Sequence, residues 1–489
     1  MPCAIFRRFV RINGMRGMRF LVQLAAIALH AAGRAEPFTF ADAWRSALIA
    51  FIPGHPDRAP FALIVPDERP AFLQAPCKSD ESHAWKKRLS TPDALDMLVT
   101  SRNHDIKIAR MVHANPEDWI FALVSLQTQE GFLGAGNYGI SRMNGGFASR
   151  PAFGVVPSGH WGRRWRRDVH RLLEERAWIA NRNELADKDG LALVWLRSWD
   201  GASSIAFSEL DPFYIEICRR VRLSREGERI VARGTGSRAA RIAAKERNGM
   251  TGDAWTPINA VQAKALSITA KGFDYRLAST LAFSNEFERT IASKLLESDG
   301  DEGIVLLAQG ITRGQGKTEG YHERRIPISP GMIGWIRRHG TDEIAQRAET
   351  RIVAIGEVRK VLWSAMCGLL GNGDSNVSDE TKRKVGDFSR EFEQAEDTRF
   401  FDDLIEEVDA QTNNAKTRVH EAWLCALVDR AAATLERAFD SGPRSAERRY
   451  LAQAAALSRF HGGVRSTKLP TLARVLRERS EARKMIEEA

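Results

Sequence analysis

The stretch IVLLAQGITRGQGKTEGYHERR, residues 304–325, decides between two folds. Its first residues, Ile304 to Ala308, form a short apolar run rich in β-branched and aliphatic side chains and predict a strand. Gly310, Gly314, Gly316, Lys317 and Thr318 follow in an order that looks like a phosphate-binding P-loop. On that reading Lys317-Thr318 opens a helix whose N-terminus holds phosphate, and the chain is a nucleotide hydrolase using Lys317 and Thr318. The interval from Gly310 to Gly316 is one residue too long for the motif, and Gly320 breaks any early helix. The competing reading makes Gly314-Gln315-Gly316 a narrow tip between Arg313 and Lys317. Such a tip is a thin basic wedge that can enter a duplex groove while its two cations neutralise phosphates. We prefer the wedge.

Working outward, the two sides of this stretch differ in texture. Residues 1–328 carry short apolar runs, such as Leu191 to Leu196, between dense turn signals, including Ile52-Pro53-Gly54, Pro157-Ser158-Gly159, Asn248-Gly249 and Thr251-Gly252-Asp253. From 329 the apolar spacing becomes helical. Ile344, Ile352, Ile355, Val358 and Leu362 mark a helix over 341–370, and the loop Gly371–Asn376 ends it. Further helices are predicted near 379–409, 416–439 and 444–461, with 470–489 a fifth helix or a charged tail. The predicted fold is α+β, a mixed α/β N-terminal domain with long loops over 1–328, plus a C-terminal four-helix bundle over 329–489.

The 489-residue chain has a formal charge of +10 and a pI near 9.5, which favours nucleic acid or an anionic membrane surface as partner. Cys3, Cys77, Cys218, Cys367 and Cys425 are scattered and form no CxxC pair, so a zinc ribbon is not expected and a reducing cytoplasm is. Arg7, Arg8, Arg11, Arg16 and Arg19 precede an apolar stretch from Phe20 to Ala32, a pattern that resembles a secretory leader cleaved near residue 36. Gln23 and His30 interrupt it, and Leu21, Leu24, Ala25 and Ala28 share helical spacing, so a buried core helix is the preferred reading. No stretch approaches the roughly 20 apolar residues needed to cross a bilayer.

Two more segments invite chemistry. Gly131–Gly139 contains a GxGxxG match at Gly134, Gly136 and Gly139, but no helix is predicted after it and no acidic ribose ligand follows at the expected distance. A flexible loop, or one whose backbone presses on a ligand, fits better. In His160–Arg171, Trp165, Val169 and Leu172 share a helical face, leaving the arginines for a solvated or phosphate-contacting face. The chain has no GxSxG, HExxH or EF-hand pattern. His322-Glu323 and the carboxylates of 391–409 are read as solvated groups. No catalytic residue, metal or cofactor is expected.

The stretch WIFALVSLQTQEGFLGAGNYGISRMNGG, Trp119–Gly146, resembles the glycine-loop region of the CasA-type large subunit of type I-E CRISPR Cascade. Gly310–Arg325 is similar to that family's glutamine-wedge hairpin. Pro257–Leu266 falls where the family has a hairpin with a lysine finger, and the helical C-terminal third matches its four-helix bundle. The resemblance runs from about residue 20 onward. It implies that Gly134, Ala135, Gly136 and Asn137 lie against the minor groove and read the protospacer-adjacent motif. Gln315 would split the first base pairs, flanked by Gly314 and Gly316, with Arg313 and Lys317 beside them and Lys264 as the lysine finger. Thr100–His104 is assigned to the guide's 5′ end. The implied partners are the CRISPR guide RNA, the backbone, guide-5′-end-binding and small Cascade subunits, and target double-stranded DNA. A helicase–nuclease or subunit-borne nuclease acts in trans. The protein would be cytoplasmic, off the membrane and not an enzyme.

Overall fold

The computed structural model describes residues 14–78, 85–95, 114–145, 150–299, 302–314, 317–371 and 377–487. Thr100–His104 lies outside the described residues. The chain divides into two compact units. One holds the described residues to Phe273 with Asn285–Asp299 and Ile304–Ile326; the other holds Asp274–Ser284 and the helices from Pro327 onward.

The first unit contains, in order, α1 (Gly14–Ala31), α2 (Ala41–Ala50), β1 (Lys87–Leu89), α3 (Pro116–Gln129), β2 (Ala152–Pro157), α4 (Trp161–Asn183), β3 (Leu191–Leu193), β4 (Ile205–Ala206), β5 (Leu210–Ile215), β6 (Arg220–Glu226), β7 (Arg229–Thr235), β8 (Ile242–Ala243), β9 (Ile258–Asn259) and β10 (Lys264–Ala265). After an excursion into the second unit, β11 (Phe287–Glu288), β12 (Ile304–Gly314) and most of β13 (Lys317–Ile328) complete it. The strands form small sheets, in the orders β1-β7-β6, β10-β9-β11 and β13-β12-β2, with two-stranded β3-β5 and β4-β8 pairs. Within a core centred on α1, α4 and β5, Trp119, Trp195 and Trp255 are almost wholly buried.

The leader-like stretch is a core helix. Val22, Ala26 and Leu29 of α1 are fully buried, and its polar interruption has a purpose. Gln23 sits in the core and donates from Nε2 to the carbonyls of Phe213 (3.3 Å) and Tyr214 (3.0 Å) on β5. Leu191–Leu196 is strand only to Leu193. Val194–Leu196 then turns as a 3-10 helix, because Trp195 dives inward and its indole N–H meets the carbonyl of Pro60 at 3.0 Å.

Two expectations need correction. Lys317 opens a twelve-residue strand, and no helix follows it. A P-loop needs that helix N-terminus, so nucleotide hydrolysis through Lys317 and Thr318 is overturned. The arginines of α4 also do not all face solvent. Arg167 is buried and donates to Asp299 (Nη2–Oδ2 2.7 Å) and to the carbonyls of Ala292 and Lys294. Arg171 pairs with Glu174 and Glu175, each at 2.7 Å. Carboxylates three and four residues along the same helix, or brought in from 299, neutralise what a linear reading counts as a basic face.

The second unit consists of α5 (Tyr275–Phe283), α6 (Pro330–His339), α7 (Asp342–Leu370), α8 (Asp379–Asp409), α9 (Asn413–Ala438), α10 (Ala446–Val464) and α11 (Pro470–Glu487), so residues 470–487 are a helix. Ser378, Thr412 and Ser445 each accept from a backbone N–H three residues on, which fixes where α8, α9 and α10 begin. Contacts set the directions. Arg347 meets Glu407 while Arg359 meets Glu393, so α7 and α8 run antiparallel. Glu396 meets Arg430 and Glu391 meets Arg437, so α8 and α9 do too. Glu421 with Arg474 and Asp429 with Arg479 run α11 parallel to α9.

The interior of this bundle is ionic at one level. Glu407, 2% exposed, accepts from Arg351 (Nη2 2.7 Å), Arg347 (Nη1 2.7 Å) and His420 (3.2 Å). Arg351 also lies over the Trp423 ring at 4.3 Å. Burial pushes the Glu407 carboxyl up. The His420 hydrogen bond and the charges of Arg351 and Arg347 outweigh it and bring the pKa down to about 2. A depressed carboxylate stabilises the fold fully above the ordinary pKa near 4.5 and loses that contribution as pH falls toward 2. Thermal unfolding of the full chain followed from pH 7 to pH 2 should therefore lose about 3 kcal/mol through this group alone. Glu407→Ala should flatten that acid limb and lower stability at pH 7 by about 3–5 kcal/mol, since it strands a buried guanidinium.

Candidate nucleic-acid interface

The glycine loop leaves the C-terminal end of α3, a helix started by a capping box between Asn115 and Asp118 with Pro116 in its first turn. Its last residues, Ser125 to Gln129, and Glu130 just after it are buried although five of the six carry polar side chains. Gln127, wholly buried, explains how. Its Nε2 donates to the carbonyls of Leu73 (3.0 Å) and Arg219 (3.0 Å), and its Oε1 accepts from the N–H groups of Cys218 (2.8 Å) and Arg219 (2.9 Å). The loop's entrance is thereby fixed to the start of β6. At its exit Ser141 N–H donates to Glu216 Oε2 (2.7 Å), and Arg142 spans Glu216 Oε1 (3.1 Å) and the Tyr214 carbonyl (2.7 Å) with its guanidinium 3.6 Å from the Tyr214 ring centre. Burial pushes the Tyr214 phenol up to about 12 and the Cys218 thiol up to about 12, so both stay neutral and Cys218 is no nucleophile.

Between these anchors the loop doubles back on itself. Leu133 N–H meets Asn137 O at 2.9 Å and Asn137 N–H meets Gly134 O at 3.0 Å. Gly134 (φ +102°) and Gly136 (φ +84°) hold conformations that side chains resist. At the neck, a Cβ on Gly139 would stand 2.7 Å from the Gly131 carbonyl carbon. The dinucleotide reading fails, since a helix precedes the loop and a turn follows it. Ala135 and Asn137 are exposed, and Gly134 and Gly136 are half-exposed.

A second glycine-bearing segment meets the loop. Ser237 N–H donates to Gly136 O (3.0 Å), the Tyr138 hydroxyl donates to Arg238 O (3.0 Å), and Gly236 is close enough that a Cβ there would lie 3.3 Å from Gly136 O. The two segments border a groove of about 340 Å³ into which Lys87, Arg219 and Arg220 also contribute. These cations and the Gly234–Arg238 segment were not singled out from sequence; the alternation of Gly234, Gly236 and basic residues straight after a β-rich run was the available signal.

The other expected residues fall as follows. Lys264 starts β10 of a hairpin and pairs with Asn259, half-buried, while the tip Ala260–Ala263 is exposed. Arg313 and Gly314 end β12 and Lys317 begins β13. Gln315 and Gly316 lie outside the described residues. One segment stitches these parts together. Gly249 has room for no side chain because Ala265, Met143 and Asn144 close on it, with a Cβ 2.6 Å from that of Ala265 and 2.8 Å from the Met143 carbonyl carbon. Farther on, Ile268 and Phe273 pack on Gly310 of β12, and Gly272 packs on His322 of β13, whose ring contacts the Thr312 hydroxyl at 2.9 Å. The glycine loop, the Lys264 hairpin and the β12–β13 hairpin thus share a continuous base through residues 248–273.

Among the described residues no group of three or more His, Cys, Asp or Glu is placed to hold a metal, and no helix is long and apolar enough to cross a membrane. What the site offers is side-chain-poor backbone beside cations. That suits contact with a polyanion.

The fold is that of the CRISPR-associated proteins called Cse1 or CasA. The chain is similar to the structure of Cse1 from Acidimicrobium ferrooxidans (TM-score 0.61, 16% identity) over 95% of this chain and 90% of that one. It is similar to CasA (Cse1) of Thermus thermophilus (TM-score 0.58, 16% identity, 92% and 89%) and to Cse1 of Thermobifida fusca (TM-score 0.58, 14% identity, 94% and 90%). No protein-family profile matches the sequence, and no curated protein matches it.

Gly139→Ala must spread the neck and should lower the unfolding free energy by about 1–3 kcal/mol. Gly134→Ala, whose Cβ meets nothing, should lose only backbone strain of about 1–2 kcal/mol. Gln127→Leu leaves four backbone groups without their partner and should cost about 3–5 kcal/mol. Denaturant titration of the three variants tests the ranking.

Proposed function

We propose that this chain is the large subunit of a type I-E CRISPR Cascade ribonucleoprotein, binding target DNA rather than transforming it. The conjunction that carries the reading is a CasA-type fold spanning nearly the whole chain, with a glycine loop pinned at both ends and joined through one base to a long two-stranded hairpin. In this reading Gly134, Ala135, Gly136 and Asn137 read the protospacer-adjacent motif in the minor groove. A minor groove distinguishes A·T from G·C but reads orientation poorly, so a backbone reader accepts several related motifs. Gln315, between Gly314 and Gly316 at the β12–β13 tip, splits the first base pairs. Arg313, Lys317 and Lys264 neutralise phosphates of the opened strands.

Unstacking a base step costs a few kcal/mol, after which guide–target pairing replaces duplex pairing in a nearly balanced exchange. The protein therefore needs only to nucleate R-loop formation and hold its product. Residues 1–328 perform this step. Its partners are the guide RNA, the other Cascade subunits, double-stranded target DNA and a nuclease acting in trans, a helicase–nuclease or one borne on another subunit, in the cytoplasm.

The test uses the chain assembled with guide RNA and the remaining subunits. Gln315→Ala should slow target opening, read by fluorescence of a 2-aminopurine beside the motif, by about tenfold or more. Binding of non-target duplex should change by less than about twofold. Equal losses in both would remove the wedge.

A further inference from the structure

On the solvent side of α4, Trp178 remains 44% exposed, an unusual state for an indole. Its ring is flanked by two cations, the Arg182 guanidinium at 5.0 Å and the Lys294 ammonium at 5.2 Å from the ring centre. Both are held in place. Arg182 donates to both oxygens of Glu288 (2.6 and 2.7 Å), and Lys294 to Glu175 (2.9 Å). The indole opens into a cleft of about 280 Å³ whose walls include Arg247, Glu246 and Glu288.

We propose that this cleft receives an unpaired nucleobase of single-stranded nucleic acid, stacked on Trp178. The inference rests on the reading of the chain as a duplex-opening subunit. A single strand leaves its bases unstacked, and a fixed aromatic face with cations beside it is what such a base binds without regard to sequence. At about 280 Å³ the cleft is small for a helix of a protein partner, which is about 10 Å across with its side chains. Its walls offer donors from Arg247 and acceptors from Glu246 and Glu288, so the polar edge of a base is not left unpaired on entry. The position is also apt. Glu288 and Ile258 of the cleft belong to the same small β10-β9-β11 sheet as Lys264, in strands of two residues each, which puts the cleft on the order of 10 Å from the Lys264 strand. A strand released near Lys264 can reach Trp178 within a few nucleotides.

The experiment is fluorescence anisotropy of the full chain with a labelled 12-residue oligo-dT, an abasic 12-mer and a non-specific duplex. Trp178→Ala should weaken oligo-dT binding by about five- to a hundredfold, with Trp178→Phe retaining most of it. The abasic strand should bind the wild-type chain more weakly and be indifferent to the substitution. Duplex binding should be unchanged. Wild-type affinity for oligo-dT in Trp178→Ala, or an equal loss on the abasic strand, overturns the stacking site. Duplex binding and Gln315-dependent opening that persist in that case leave the proposed function standing. A wild-type chain that binds none of the three probes overturns both.

Discussion

The first unit is held together by the requirement that buried backbone polar groups find partners. Its sheets are small and many of its strands two or three residues long, so most of its chain is turn and loop, which a ladder cannot satisfy. Long polar side chains sent into the interior do the work instead. Gln127 holds four backbone groups, and Gln74 takes the carbonyls of Leu63 and Phe72 and the N–H of Leu223. Arg222 collects the carbonyls of Val65, Pro66, Arg69 and Gln74. Arg19 joins Gln129 to the carbonyls of Arg150 and Pro151. Each of these guanidinium forks fans out over several acceptors, which a lysine ammonium at the same place would not match.

This use of arginine alters what the net charge means. A formal excess of ten positive charges invites the picture of a basic surface. Yet Arg19, Arg142, Arg150, Arg167, Arg222 and Arg351 are buried. Arg150 holds Asp253 through two hydrogen bonds; burial alone would push that carboxyl up, but the adjacent guanidinium brings it well below the ordinary range. In the proposed reading the cations that meet a polyanion are fewer and local, beside the glycine loop and along the hairpins.

The sequence was most legible where one signal sufficed. Helical texture placed α8, α9 and α10 to within a few residues, and a Gly after Lys317-Thr318 was enough to doubt a P-loop. Charge was legible only as a total. Nothing near Arg167 in the chain announces Asp299, 132 positions away, so an arginine of the core read as an arginine of the surface. The glycine loop was visible as glycines, but its opposite wall at Gly236 and Ser237, and the role of Gly249 as the point where Met143 and Ala265 close together, exist only through tertiary contact. Trp178 gave no sign at all, since exposure is not a property of a residue type.

The neck at Gly131 and Gly139 separates what lies beyond it from what lies behind it. With the two backbones in contact there, extra residues inserted between Leu133 and Asn137 would alter the outer lobe and its contact with Ser237, while the helix before it and the Ser141–Arg142 clamp after it keep their places. A change of length or composition in the lobe is therefore felt at Gly236 and Ser237 before it is felt at α3, as at a fingertip on a rigid hand.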